Sequence, residues 1–395
     1  MTAKRIIAIV LIFALGVVAW VILGQANWMR SQQTSSYLSA SVQSLWGAPV
    51  VQQAPKLTVK VPGTDRIRVI SPSSNQVEAI IDLEQRRKGL LWYPTYTVDF
   101  TGRYRVTNDA PIAQDIRLYF SLPSDKATYE NVVLKIGDAA ERLDTLIGYG
   151  FYRIIPLQPG ASQSIEIAYQ TRGINSWTYL LGDQQGLIKA LDMTVKTNFT
   201  DVDFIGGSLS PMQVDRGADG LDIHWRASEL ITRQNIGISL PQKLNPGPLA
   251  ARMSFFAPVC LLFFFVLITS ICVTRKIEIH PMHYLFVNAG FFAFHLLFAY
   301  TIDLINVHLA FAISAIVSVA LVVSYLARAL GPAFPWKMAA LGQMVYLVLF
   351  SYSFFLKGMT GLTVTVASII TLAILMKITA QTDWSQVFVK RPREA

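Results

Sequence analysis

Glu278, His280 and His283 crowd into one short stretch, Glu278-Ile279-His280-Pro281-Met282-His283. Two imidazoles beside a carboxylate are ligand types that hold zinc. Positions three apart share a helix face, but Pro281 stands between the histidines and cannot sit inside a helix that brings them together. No cluster of cysteines or carboxylates elsewhere completes a coordination sphere. The stretch therefore reads as a helix-capping, interfacial turn leading through Met282 into Tyr284, with no metal and no cofactor expected.

Asn288 and His295 follow, seven positions apart and so on one face of an otherwise apolar helix. Polar side chains inside a membrane helix are functional candidates by default. A proton or solute relay needs partners, and the apolar segments offer few: Gln343, Tyr346, Asp303 near one edge and Lys377 near the other. No segment carries a carboxylate at its centre, so hydrogen bonding between helices is the expected role and transport the alternative. Ala310, Ser314 and Ser318 recur every four residues as a small-residue packing seam, and Thr360, Ala367 and Thr371 form a second.

In the middle of the chain His224-Trp225-Arg226 follows a turn rich in Asp and Gly, with Asp222 and Glu229 close in sequence. Such a histidine can be drawn as a catalytic base, but no nucleophile sits at a recognisable elbow. A structural role is expected. The sequence has no P-loop, G-x-G-x-x-G, G-x-S-x-G or H-E-x-x-H motif. Arg86-Arg87-Lys88, before Gly89-Leu90-Leu91-Trp92-Tyr93, reads as a basic loop beside a buried aromatic run, with contact to anionic lipid or an envelope polymer as the functional alternative.

The elements that position these residues fall into two kinds. A mean hydropathy of +0.41 with 52% hydrophobic residues is too apolar for an ordinary soluble enzyme. The apolar residues concentrate at 6–23 and in the last third, in runs at about 253–274, 282–302, 307–327, 338–356 and 359–378. Each approaches the roughly 20 residues a helix needs to cross a bilayer. The first is expected to be a retained anchor rather than a cleaved signal, because its apolar run is longer than a signal core of about 7–15 residues. Cys260 and Cys272 lie 12 positions apart in one such run, roughly 18 Å on a helix and out of disulfide reach.

Charge sets the orientation. Of the net +9, residues 26–252 carry only +2, and the rest lies in tails, loops and helix ends. That placement argues against nucleic acid as a partner. Lys4, Arg5, Arg275, Lys276, Arg328, Lys337, Lys390, Arg391 and Arg393 all fall on one side if the segments alternate, while the short loops opposite carry only Lys357. Positive loops stay inside, so both termini are expected in the cytoplasm and residues 26–252 beyond the membrane.

That segment is a succession of short alternating or β-branched runs broken by turn clusters such as Thr107-Asn108-Asp109-Ala110-Pro111. The pattern predicts a large, mostly β, sandwich-like domain. Its length suggests two β layers or lobes with a break near Gly173–Gly186, and residues 27–47 suggest a helical stalk. The expected organisation is 1–25, tail and first transmembrane helix; 26–252, β domain; 253–380, a C-terminal five-helix transmembrane bundle; 381–395, cytoplasmic tail.

The chain resembles the CreD family of bacterial inner-membrane proteins. The likeness is carried by His280-Pro281-Met282-His283-Tyr284, Asp383-Trp384, Phe204-Ile205-Gly206-Gly207-Ser208-Leu209-Ser210-Pro211 and Gly220-Leu221-Asp222-Ile223-His224-Trp225. Arg87-Lys88-Gly89, Tyr93-Pro94-Thr95-Tyr96 and Gly47-Ala48-Pro49 add to it. The resemblance implies an inner-membrane location, a periplasmic β domain, and a part in envelope integrity, stress response and β-lactam susceptibility. It brings no catalytic residues. The expected function is a non-enzymatic membrane protein whose partners are membrane lipids and an unidentified envelope component. A lipid or small-molecule transporter is the alternative, and a membrane-bound hydrolase comes third.

Overall fold

The computed structural model describes residues 3–89, 91–124, 127–141, 150–182, 187–243, 245–332, 334–356 and 358–380. The expected tail at 381–395, with Asp383-Trp384, and the loop residue Lys357 lie outside the described residues. The chain divides into two compact units, Met1–Ser35 with Asn245–Ala395, and Ser36–Leu244. These bounds fall inside the expected 26–252 because the first helix does not stop where its apolar run ends. It runs as one element, α1, from Ala3 to Trp46. The apolar run and the Ser/Gln-rich stalk are thus a single helix. It ends where Gly47 takes a positive φ of 104° and its N–H bonds back to the Gln43 carbonyl at 2.9 Å, a termination that suits glycine.

In the β unit the largest sheet has eight strands in the order β14-β15-β12-β4-β5-β10-β7-β8. They are β14 (Gln213–Arg216), β15 (Leu221–Leu230), β12 (Ile188–Thr197), β4 (Ser74–Lys88), β5 (Leu91–Thr107), β10 (Ser162–Ile174), β7 (Tyr129–Ile136) and β8 (Ala139–Glu141). All neighbours are antiparallel except β12 and β4, which run parallel with Met193 opposite Val77. A second sheet orders β3 (Ile67–Ile70), β2 (Lys56–Lys60), β6 (Gln114–Ser121) and β9 (Gly150–Leu157). A third orders β1 (Val50–Gln53), β11 (Ser176–Leu180), β16 (Ile236–Ser239) and β13 (Asp203–Phe204), with β1 and β11 parallel.

Period-two alternation buries one face of each long strand, as in Val77, Ala79 and Ile81 of β4 or Ile165, Ile167 and Tyr169 of β10. The three inward faces meet in one apolar cluster. Phe100 stacks on Tyr169 of its own sheet at 5.1 Å between centroids, on Tyr179 of the third sheet at 6.2 Å, and leans on Phe120 of the second at 6.3 Å. Of the layers or lobes expected, separate lobes are corrected by this continuity, the sheets packing as layers on one core. Gly173 lies within β10 and Trp177 of β11 sits at the centre of the shared core, so no break opens among the described residues 173–182, while 183–186 lie outside the described residues. Buried hydroxyls find partners inside: Tyr104 and Tyr179 are 3.0 Å apart, and Tyr169 donates to Gln52 Oε1 at 2.6 Å.

The helical unit continues with α2 (Pro246–Thr274), α3 (Pro281–Thr301), α4 (Val307–Ala329), α5 (Trp336–Gln343), α6 (Phe350–Tyr352) and α7 (Thr360–Thr379). Counting α1, six helical stretches among the described residues are long and apolar enough to cross a membrane. The fifth departs from the expected unbroken helix. Between α5 and α6 a π-helical turn spans Met344–Leu349, and a 3₁₀ turn follows at Ser353–Phe355. The wider turn presents Tyr346 and Phe350 together to Phe263 of α2, at 5.7 and 5.8 Å. Irregularity is therefore not confined to the loops. Cys260 and Cys272 are both buried packing residues.

Candidate functional site

The solvent face of the eight-stranded sheet carries a line of polar side chains from strand to strand. Register sets it, because the residues alternating with the core positions must stand on the outer face. His224 of β15 lies opposite Thr194 of β12, and its Nδ1 is 3.0 Å from Thr194 Oγ1. On its other side Nε2 is 3.5 Å from the Asp215 carboxylate of β14. Across β12, Lys196 Nζ meets Glu78 of β4 at 2.8 Å. Further along, Glu166 of β10 accepts from Arg103 of β5 at 2.9 Å and from Lys135 of β7 at 3.1 Å. These two donors hold its carboxyl below the ordinary glutamate value.

Carboxylate, imidazole and hydroxyl in that order resemble a catalytic triad. Chemistry also needs donors aimed at a developing oxyanion. Thr194 lies mid-strand between β15 and β4, where the main-chain N–H groups are committed to the two ladders. The arrangement is a cross-strand polar line. Asp222 and Glu229, the neighbours suggested by sequence, are not the partners of His224. Asp215 and Thr194 are, and only strand pairing could have named them.

Trp225 points the other way. It is buried, and its Nε1–H donates to the Leu209 carbonyl at 2.9 Å. Met212 N–H bonds to the His224 carbonyl and Leu209 N–H to the Asn235 carbonyl. The Phe204–Pro211 loop, with exposed Gly206 and half-buried Pro211, is thus latched onto β15. The two segments separated in sequence form one substructure.

In the helical unit, His280 caps α3. Its Nδ1 accepts from Met282 N–H at 3.2 Å, and Pro281 takes the first helical turn. His283 Nδ1 is 2.9 Å from Tyr325 Oη, and buried Tyr284 bonds Thr269 at 2.7 Å. Met282 is exposed. Among the described residues no group of three or more His, Cys, Asp or Glu gathers.

Asn288 donates to the Ile12 carbonyl of α1 at 2.9 Å, and Gly16 leaves room for its carboxamide. His295 does not bond across helices. Its Nδ1 is 3.0 Å from the Phe291 carbonyl of its own helix, and its ring stands edge-on to Trp20 of α1 at 5.7 Å. Ion pairs bracket this seam, Arg5 with Glu278 at 3.7 Å and Arg30 with Asp303 at 3.4 Å. The contacts ascend together on both helices, so α1 and α3 run in the same direction. Beside them, the Ser318 hydroxyl donates to the Gly290 carbonyl at 2.7 Å and accepts from Gln343 at 3.1 Å. The seam of Ala310, Ser314 and Ser318 is fully buried. Sequence pointed to Asn288, Ser318 and Gln343. The carbonyls that serve two of them carry no sequence signal.

Comparison with known proteins places these features in context. Residues 193–385 match the family model described as inner membrane protein CreD. The match runs from mid-β12 through all the C-terminal helices. Among curated proteins none matches the chain significantly. A putative nutrient binding protein from Legionella pneumophila aligns at 10% identity over 62% of this chain and 84% of its own, with a TM-score of 0.31. An M1 zinc metallopeptidase from Deinococcus radiodurans aligns at 9% identity over 80% of this chain and 91% of its own, with a TM-score of 0.27.

Proposed function

This chain carries the domain of the CreD inner membrane proteins over residues 193–385, and from that premise we propose that it supports cell-envelope integrity or the envelope stress response, without catalysis, through its β unit. The protein crosses the bacterial inner membrane six times with both termini in the cytoplasm, and the β unit faces the periplasm. Two observations support the topology. Basic residues cluster on the side assigned to the cytoplasm. The parallel course of α1 and α3 is what alternating crossings require of the first and third spans.

One observation carries the functional reading. The β unit closes around its own core and keeps a broad, charge-patterned sheet face on which a polymer or protein of the envelope can be read. Membrane lipids surround the helices, and an envelope component is the partner of the β unit. The test is complementation in a bacterium whose envelope phenotype depends on this gene. Residues 36–244 on an unrelated membrane anchor should restore part of the phenotype. The helices alone, at equal expression, should not. Rescue by the helices alone would move function into the membrane and overturn the proposal.

A further inference from the structure

Trp20 of α1 and His295 of α3 are almost completely buried, at 0% and 1% exposure, with ring centroids 5.7 Å apart. Neither Trp20 Nε1 nor His295 Nε2 has a hydrogen-bond partner among the described residues. The two are complementary. An indole Nε1–H can only donate. The imidazole bonds the Phe291 carbonyl through Nδ1, and a carbonyl accepts, so the Nδ1 atom carries the hydrogen. In the neutral ring Nε2 is then a bare acceptor. One buried donor and one buried acceptor thus share an aromatic pocket also bounded by Phe292 and Phe294.

Leaving a buried polar group unsatisfied costs about 1–3 kcal/mol, so two such groups on adjacent rings call for a partner. The two nitrogens do not bond each other directly, since neither has a partner among the described residues. We propose that the α1–α3 seam is a binding site for one internal water, which accepts from Trp20 Nε1–H and donates to His295 Nε2. Asn27 extends the argument. It lies seven positions after Trp20, on the same face of α1, buried, with its Nδ2 likewise unpartnered. That makes it a second hydration point about 10 Å along the helix. The seam is accordingly held by Asn288 and Arg30 through protein groups, and between them by solvent.

The experiment uses the full chain in lipid nanodiscs, labelled with ¹⁵N-tryptophan. The Trp20 indole signal is assigned by its disappearance in Trp20→Phe. In the unsubstituted protein this signal should lie at a hydrogen-bonded, downfield position and show a magnetisation-transfer cross-peak to water. His295→Phe, which deletes the acceptor, should shift it upfield or weaken the water cross-peak, and His295→Gln should restore part of either effect. An upfield, unbonded indole signal would overturn the proposal. So would a downfield signal without transfer to water, which marks a direct bond between the rings. Once Trp20→Phe has given the assignment, both readings come from the unsubstituted protein, so the outcome stands even if a His295 variant fails to fold.

Discussion

Asn288 reaches across from α3 to the main-chain carbonyl of Ile12, 276 positions earlier, and does so in the space left by Gly16. A carbonyl in mid-helix is already engaged by its own helix, so this is a second bond to the same oxygen, available only because the two helices lie close there. Removing it in Asn288→Ala should cost about 0.6 kcal/mol and no more than about 1.7, the range of hydrogen bonds between membrane helices. Gly16→Ala alone should be worse than its size suggests, because a Cβ there meets the carboxamide. In the Asn288→Ala background the same change should be nearly neutral. Unfolding by denaturing detergent, run as a double-mutant cycle, measures that coupling.

How much of this was legible in the sequence follows from which physical signals are local. His280 and Pro281 announce a cap because capping is written into three adjacent residues. The apolar runs announce the helices and residues 27–47 suggest a helical stalk, but nothing local shows that the stalk is continuous with Ile6–Leu23 as one helix to Trp46, since polar Ser/Gln stretches have no strong helical preference. The partners of His224 and Asn288 were not legible. Asp215 and Thr194 reach His224 through strand register, and Ile12 reaches Asn288 through a backbone oxygen that any residue supplies. The single core was hidden for a similar reason: chain length suggested two layers or lobes, but only packing shows Phe100, Phe120 and Tyr179 touching.

Acid should weaken the β unit partly through Glu166. Arg103 and Lys135 lower its folded-state pKa, so its stabilising contribution is present above the ordinary glutamate value and fades as pH falls through the lower, folded one. Thermal melts of unsubstituted protein and Glu166→Gln should differ at neutral pH and converge in acid. A gap that stays constant with pH would count against this account.

Alkali should weaken the same unit by the opposite route. Burial raises the folded-state pKa of Tyr96, Tyr104, Tyr169 and Tyr179 above the ordinary phenol value. The unfolded chain therefore releases these protons first, and stability should decline as pH rises past about 10. Tyr104→Phe should lose the bond to Tyr179 near neutrality but show a shallower decline above that pH. Ultraviolet difference spectra should show the phenolate signal of these four buried tyrosines appearing together with unfolding, not before it.

Trp225→Phe should free the Phe204–Pro211 loop while sparing the sheet, because it deletes the bond to Leu209 and keeps most of the buried ring. The cost should be about 1 kcal/mol, typical of one buried hydrogen bond. Limited proteolysis should cut first within 204–211 in this variant, at a rate clearly above that of the unsubstituted protein.

Orientation can be read with an impermeant thiol reagent in a background lacking Cys260 and Cys272. Gln158→Cys, exposed in the turn after β9, should label in intact spheroplasts. Ala329→Cys, exposed at the end of α4, should label only after lysis. The reverse pattern would invert the topology.

The parallel pairing of β4 with β12 also dictates an order of assembly. A chain that emerges N-terminus first presents the β4–β5 hairpin early, since its strands are joined by a tight turn and need nothing else to pair. The outer edge of β4 must then wait for residues 191–197, more than a hundred positions later, to meet Asn75–Ile81. During that interval a long, alternating edge strand stands open, the kind of edge that recruits strands from other chains. Delivery of β12 faster than local collapse, or a chaperone that shields the edge, therefore becomes part of what this fold requires. Variants that slow delivery of β12 should fail by aggregating during biogenesis, although the same protein, once closed, is stable.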